Sequence, residues 1–243
     1  MERGDTTRER TLALVGAAAG LFVLGFTVYW TVAPIPTAAP LEGRFGDNAV
    51  LAMEFARTPD ELATVIGHEP PSASEAAIRA RLDRVNQLDF LYMAAYGALL
   101  ACGFVALARA RQDRRHLAGA ALVVAAVLSD GVENRALLAL TESGVEPAAH
   151  LSVLRAATYL KWELLAAATA LLGWALARRR SWGWRAAGAI GLSAAPLGVL
   201  LYVDPAIFAP LLTLSFAPVW LALFADFARV IVRRGGSPAT ARG

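Results

Sequence analysis

The chain has 243 residues, of which 57% are hydrophobic, and its formal net charge is only +3. Such a composition, with several apolar runs long enough to cross a bilayer, excludes an ordinary soluble domain and predicts a polytopic membrane protein whose first partner is the lipid bilayer. The small net charge argues against a nucleic acid partner, and the single cysteine excludes an intrachain disulfide.

Hydropathy predicts an all-α fold with six transmembrane spans. The spans cover residues 11–32, 88–109, 117–140, 151–177, 185–203 and 206–232. The first span is longer than the apolar core of a signal peptide, so we expect a retained anchor, with cleavage after Thr37-Ala38-Ala39 as the alternative. Within it, Gly16 and Gly20 fit a close helix crossing. Beyond the first span, residues 88–232 are expected to form a five-span bundle.

Arginines mark one side of this six-span arrangement. They cluster in the tail of residues 1–10, after spans two and four, and near the tail of residues 233–243: Arg3, Arg8, Arg10, Arg109, Arg111, Arg114, Arg115, Arg178, Arg179, Arg180, Arg185, Arg229, Arg233 and Arg234. The alternate loops, 141–150 and 204–205, contain no lysine or arginine. By the positive-inside rule both termini are cytoplasmic, in a bacterial cytoplasmic membrane.

Residues 33–87 are the only sizeable segment between spans, and they are expected to be external. Thr58-Pro59-Asp60-Glu61 and Ser72-Ala73-Ser74-Glu75 have the capping-box pattern, so each predicts a helix start. We expect these two helices to form a small cap over the outer end of the bundle. The charges of this segment are interpreted as a solvated face, with a docking surface for a partner as the alternative: Glu54, Arg57, Arg79, Asp83 and Arg84.

Lys161 is the only lysine of the chain, and it lies inside the apolar fourth span. A cationic side chain at bilayer depth costs about 3 kcal/mol or more, so it is expected to have an anionic partner. Span three runs outward and span four runs back inward. A helix rises about 1.5 Å per residue, so the depth of each residue in the two spans can be compared. This comparison pairs Lys161 with Asp130 and Arg155 with Glu133, because consecutive spans with a short loop are usually neighbours.

Further polar residues join this predicted cluster by helical spacing. Asn134 shares a helix face with Asp130 and Glu133, while Asp89, Tyr92 and Tyr96 follow i, i+3, i+7 spacing along span two. We expect a cavity that opens outward to collect all of them. Two alternatives stay open: the groups neutralise one another and lock three helices together, or they form an ion or proton path.

A family resemblance rests on the same residues. Glu54-Phe55 within Met53–Pro59, Asp89 and Tyr92 within Leu88–Tyr92, the pair Tyr96-Gly97, the Asp130-x-x-Glu133-Asn134 element and Lys161 together resemble an uncharacterised family of small bacterial multi-pass membrane proteins. The resemblance covers about residues 50–165. It implies that these polar residues act as one unit, and it brings neither a substrate nor a reaction.

The chain contains no Walker loop, dinucleotide-binding glycine fingerprint, nucleophile elbow or paired-cysteine motif, so we predict no cofactor and no metal site. In our first functional hypothesis the polar pocket binds or transports a small amphipathic or lipid-like ligand. Lys161 and Arg155 would contact its anionic group, and Tyr92 and Tyr96 would line the wall.

Two other hypotheses remain open. The chain could be an intramembrane enzyme in which Asp130 or Glu133 acts as general acid or base on an apolar substrate. It could also be a structural or assembly subunit. No pattern in the sequence specifies an oligomeric state.

Overall fold

The computed structural model describes residues 2–235, and the side chains of residues 7–233. The predicted C-terminal tail therefore lies mostly outside the described residues, as do the side chains of Arg3 and Arg234. Every regular element within 2–235 is helical: α1 (Glu2–Val32), α2 (Ala49–Glu54), α3 (Pro59–Ile66), α4 (Ala73–Arg111), α5 (Leu117–Thr141), α6 (Pro147–Ala177), α7 (Trp182–Leu192), α8 (Ala194–Leu200) and α9 (Pro205–Gly235), with 3-10 turns at Arg44–Asp47 and Arg114–His116. Five of these helices, α1, α4, α5, α6 and α9, are long and apolar enough to cross a membrane. The predicted all-helical, membrane-type fold is confirmed.

The helices form a closed ring. Helix α1 packs against α4 and α9, α4 packs against α5, and α5 packs against α6. The pair α7 and α8 fills the interval between α6 and α9. From α4 to α6 the ring follows the order of the chain, because short connections keep consecutive helices side by side. The contact between α1 and α9 joins the first long helix to the last.

Two glycines let α1 close this ring against α9. A Cβ atom on Gly16 would enter the ring of Phe227, and a Cβ atom on Gly20 would lie 2.8 Å from the ring of Phe224. Small residues four apart allow such close approach, because they leave a flat strip on the helix. The close crossing expected from Gly16 and Gly20 is therefore confirmed.

The predicted fifth span, residues 185–203, is a broken helix. Helices α7 and α8 are separated at Ser193, whose hydroxyl donates a hydrogen bond to the Ile190 carbonyl at 2.6 Å. Pro196 explains the break, because proline has no amide hydrogen and its ring clashes with the carbonyl four residues earlier. Neither half is long enough by itself to cross a membrane.

Helix α4 contains both the external helix predicted after Ser72 and the second predicted span. The Ser72 capping box operates in both directions: the Glu75 amide donates to the Ser72 hydroxyl at 3.3 Å, and the Ser72 amide donates to the Glu75 carboxylate at 2.7 Å. The helix then continues into the second predicted span without a break, because no glycine or proline occurs between residues 73 and 96. The predicted boundary between residues 87 and 88 lies inside this helix.

Residues 33–72 pack against several of the long helices. Helix α2 contacts α5 and α6, the turn at 44–47 contacts α9, and α3 contacts α4. Both short helices have side-chain caps. The Asn48 side chain accepts from the amides of Val50 and Leu51, and the Thr58 hydroxyl accepts from the amide of Glu61 at 3.2 Å.

The charges of this region are only partly solvated, contrary to expectation. Arg57 and Arg84 are exposed as predicted, but Arg79 is buried. Its guanidinium donates to the carbonyl groups of Ile66, Gly67 and His68. The solvated-face interpretation of Arg79 is wrong, because it supplies donors to carbonyls left unpaired where α3 ends.

Candidate functional site

Three carboxylates surround Lys161. Its Nζ atom lies 2.5 Å from Glu133 Oε1, 3.2 Å from Glu54 Oε2 and 3.4 Å from Asp130 Oδ1. None of the four residues is more than 8% exposed. We refer to Lys161, Glu54, Asp130 and Glu133 as the lysine cluster. The predicted pair of Lys161 with Asp130 is present, and Glu133 is the closer partner.

Helix α5 turns its carboxylates inward and its apolar side chains outward. Leu128 and Val132 are 67% and 47% exposed, whereas Asp130 and Glu133 are 4% and 0% exposed. The i, i+3 spacing of the two acids places them on one helix face. This arrangement reverses that of a soluble protein and is the one expected for a helix in lipid.

Hydrogen bonds extend the lysine cluster to α4 and along α5. The Tyr96 hydroxyl donates to Asp130 Oδ2 at 2.6 Å, and Asn134 Nδ2 donates to Asp89 Oδ2 at 2.7 Å. The Ser129 hydroxyl donates to the Ala157 carbonyl at 2.9 Å, which ties α5 to α6. Asp89, Tyr96 and Asn134 thus lie around the lysine cluster, as the helical spacing predicted.

The interpretation of Glu54 as part of a solvated face is wrong, because this residue is buried. Its carboxylate accepts from Trp162 Nε1 at 3.1 Å and forms an ion pair with Lys161, and its backbone carbonyl accepts from the Thr158 hydroxyl at 3.2 Å. Glu54 ends the short helix that lies across α5 and α6, so it enters the cluster from outside the long helices. One sequence signal could have identified it: Glu54 is the only charge in the apolar run of residues 49–56.

Arg155 does not join the cluster. Its side chain is exposed, and it forms no ion pair with any other described side chain, so the predicted pair with Glu133 is wrong. The reason is helical geometry: Arg155 and Lys161 are six residues apart, about 240° around the helix axis. When Lys161 faces inward, Arg155 points away. Glu163 also lies outside the cluster and accepts from the Tyr202 hydroxyl.

Stacked aromatic rings line one side of the cluster. Tyr96 stacks on Trp220 with ring centroids 5.7 Å apart, Trp220 on Phe216 at 5.7 Å, and Phe216 on Trp162 at 6.0 Å. We call these four rings the aromatic wall, which joins α4, α9 and α6. It was not predicted, because hydropathy does not show which aromatic residues of distant helices meet.

Tyr92 lies beside the aromatic wall rather than in the cluster. Its ring centroid is 5.7 Å from that of Tyr96, 5.4 Å from Phe26 and 5.0 Å from Trp30. It therefore fills the space between α1 and α4. Its link to the lysine cluster runs through Tyr96.

The cluster has more carboxylates than cations. The Lys161 ammonium donates a hydrogen bond to Glu133 Oε1, and the carboxylates of Glu54 and Asp130 lie within ion-pair distance of the same nitrogen. Three carboxylates thus already surround the ammonium, which disfavours an anionic ligand beside it. Glu133 Oε2, by contrast, is buried without a hydrogen-bond partner among the described residues.

Among the described residues, no group of histidine, cysteine, aspartate and glutamate side chains has the geometry of a metal site.

No family model, no curated protein and no solved structure matches this chain.

Proposed function

We propose that the chain is a multi-pass protein of the bacterial cytoplasmic membrane with six spans, in which α7 and α8 together form the fifth. A Cβ atom on Gly188 would lie 2.5 Å from the Gly173 carbonyl oxygen, a Cβ atom on Gly198 would lie 2.9 Å from Ala166, and the Tyr159 hydroxyl contacts the Leu201 carbonyl at 3.5 Å. These contacts run antiparallel along most of α6. Residues 182–200 are about 28 Å long at about 1.5 Å per residue, close to the thickness of the hydrocarbon core.

The orientation follows from the arginines. All four arginine-rich regions lie on one side of a six-span chain, which makes both termini cytoplasmic and residues 33–72 an external cap.

Reporter fusions after Arg180, after Asp204 and after Arg234 test this topology. We expect the reporters after Arg180 and Arg234 to be cytoplasmic and the reporter after Asp204 to be external. An epitope inserted at Pro70 is expected to be accessible from outside. If the reporters after Arg180 and Asp204 lie on the same side, α7 and α8 do not cross the membrane and the five-span alternative is correct.

We infer that the lysine cluster binds, or carries across the membrane, a small amphipathic ligand whose polar end is cationic. The observation that supports this proposal is the ratio of three contacting carboxylates to one ammonium. Full ionisation would leave two buried negative charges, and each unpaired buried charge costs several kcal/mol. A cationic group, or protons in its absence, relieves that cost. The charge balance thus favours a cationic polar end over the anionic group expected from the sequence.

Ligand access is proposed from the outer side. Glu54 is the one carboxylate of the lysine cluster that belongs to residues 33–72, and Phe55 next to it lies against Trp162 with ring centroids 6.1 Å apart. Displacement of α2 would remove Glu54 from Lys161 and expose Asp130 and Glu133 together. The aromatic wall would then offer cation–π contacts to the ligand.

Two probes of equal tail length and opposite charge test the ligand class: hexyltrimethylammonium and hexanesulfonate. Equilibrium dialysis with purified protein should show saturable binding of the cation only. Asp130→Asn is expected to weaken that binding by at least about tenfold, equivalent to about 1.4 kcal/mol. Glu163→Gln, which removes an exposed carboxylate from α6, is the matched control and should leave it unchanged. Equal binding of both probes, or preference for the anion, would contradict the proposal.

A second candidate function is an intramembrane enzyme. It is favoured by Glu133, a fully buried carboxylate with one oxygen atom unpartnered among the described residues. Such a group suits general acid or base catalysis on an apolar substrate. Mass spectrometry of bacterial lipid extract after incubation with the protein distinguishes the two functions. Chemical conversion that Glu133→Gln abolishes indicates an enzyme, and unchanged lipids indicate a binding or transport protein.

A further inference from the structure

A second candidate site lies far from the lysine cluster, where the start of α1 meets the ends of α4 and α9. The groove there has a volume of about 370 Å³. Leu12, Ala106, Phe227 and Val230 contribute its apolar lining. The groove is large enough for a small ligand or for one end of a larger molecule.

Two arginines give this groove a polar end. Arg8 and Arg109 also line it, and both are exposed. Arg8 precedes Leu12 by one helical turn, and Arg109 follows Ala106 by three residues, so both cations lie on the side nearer the helix ends. The groove is thus cationic at one end and apolar at the other.

The charge balance of the groove favours an anion. Among the side chains that the structure describes, Glu9 is the one acidic lining residue, against two guanidinium groups. Neither Arg8 nor Arg109 forms an ion pair with another described side chain. Guanidinium groups match the geometry of phosphate oxygens, because two parallel N–H donors can bind two oxygens.

We propose that this groove binds an anionic phospholipid. The phosphate would contact Arg8 and Arg109, and the first part of the acyl chains would lie along Leu12 and Phe227. In the proposed topology the groove lies at the cytoplasmic surface, where apolar helix surface gives way to arginine at the depth of lipid phosphates. The proposal does not depend on the function assigned to the lysine cluster.

Native mass spectrometry of the full chain, titrated with phosphatidylglycerol or phosphatidylcholine, tests the site. The wild-type protein should bind one phosphatidylglycerol more tightly than phosphatidylcholine. The double variant Arg8→Gln, Arg109→Gln should lose about thirtyfold in that affinity, since each arginine near an anionic surface contributes about fivefold. The matched control is Arg111→Gln, Arg114→Gln, which removes the last arginine of α4 and one from the following turn. Neither lines the groove, so this variant should retain the affinity.

Two further measurements distinguish a phospholipid site from a site for a free anion. Ala106→Leu fills the groove without removing a charge, and it should also weaken phosphatidylglycerol binding if the acyl chains enter. Inorganic phosphate should not compete at equal concentration. Competition by phosphate would mean a free-anion site. Equal binding of the two lipids, or equal losses in the arginine pair and its control, would overturn the proposal.

Discussion

The Lys161→Met variant is expected to lose about 3–5 kcal/mol of unfolding free energy, the cost of removing one partner from a buried ion pair. A single polar contact between membrane helices averages only about 0.6 kcal/mol. The larger value applies here because Glu54, Asp130 and Glu133 would then face one another without a cation. Unfolding followed by intrinsic fluorescence in detergent micelles measures the loss.

Arg155→Met is the matched control for this variant. It removes the same charge from the same helix, but at an exposed position, so its effect should stay within about 0.5 kcal/mol. Adding Glu133→Leu to Lys161→Met should restore part of the lost stability, because the closest carboxylate is removed with the lysine. Adding Asp130→Leu to Lys161→Met instead should restore less stability, because Asp130 lies farther from Lys161 than Glu133 does. A Lys161→Met protein as stable as the wild type would mean that the carboxylates are neutral without the lysine, and the lysine cluster would not be an ionic unit.

Gly188→Ala should be the most damaging single-methyl change in the described helices. A Cβ atom at Gly188 would lie 2.5 Å from the Gly173 carbonyl oxygen and would also clash with the backbone amide of Ala177. Both are backbone atoms, so no side chain can rotate away, and α7 must separate from α6. We expect a loss of about 3 kcal/mol, the upper part of the usual range for overpacking. Thermal unfolding of the purified protein measures it.

Gly183→Ala provides the control, because it adds the same methyl group to the same helix where no atom lies within 4 Å. It should leave stability unchanged or raise it by up to about 1 kcal/mol, since alanine favours helix over glycine. Equal behaviour of the two variants would show that α6 and α7 do not meet at backbone distance.

Local chemistry made much of this architecture predictable. Long apolar runs predicted the five long helices, because the bilayer demands about 20 apolar residues per span. The Ser72 box predicted the start of α4, because a cap is formed by residues three apart in the chain. The pair of Asp130 with Lys161 was also predictable, because two consecutive antiparallel helices with a short loop have matching depths.

The sequence by itself therefore determined the five long helices, their apolar faces and the burial of Lys161. Only the tertiary structure decided which groups meet that lysine. Glu54 comes from a separate short helix 107 residues earlier in the chain, and Arg155 is excluded by its rotation about the axis of α6. Periodicity and hydropathy report one helix at a time, whereas these contacts depend on how helices rotate and pack against one another. For the same reason the aromatic wall and the backbone contact at Gly188 became visible only when α6, α7 and α9 were assembled.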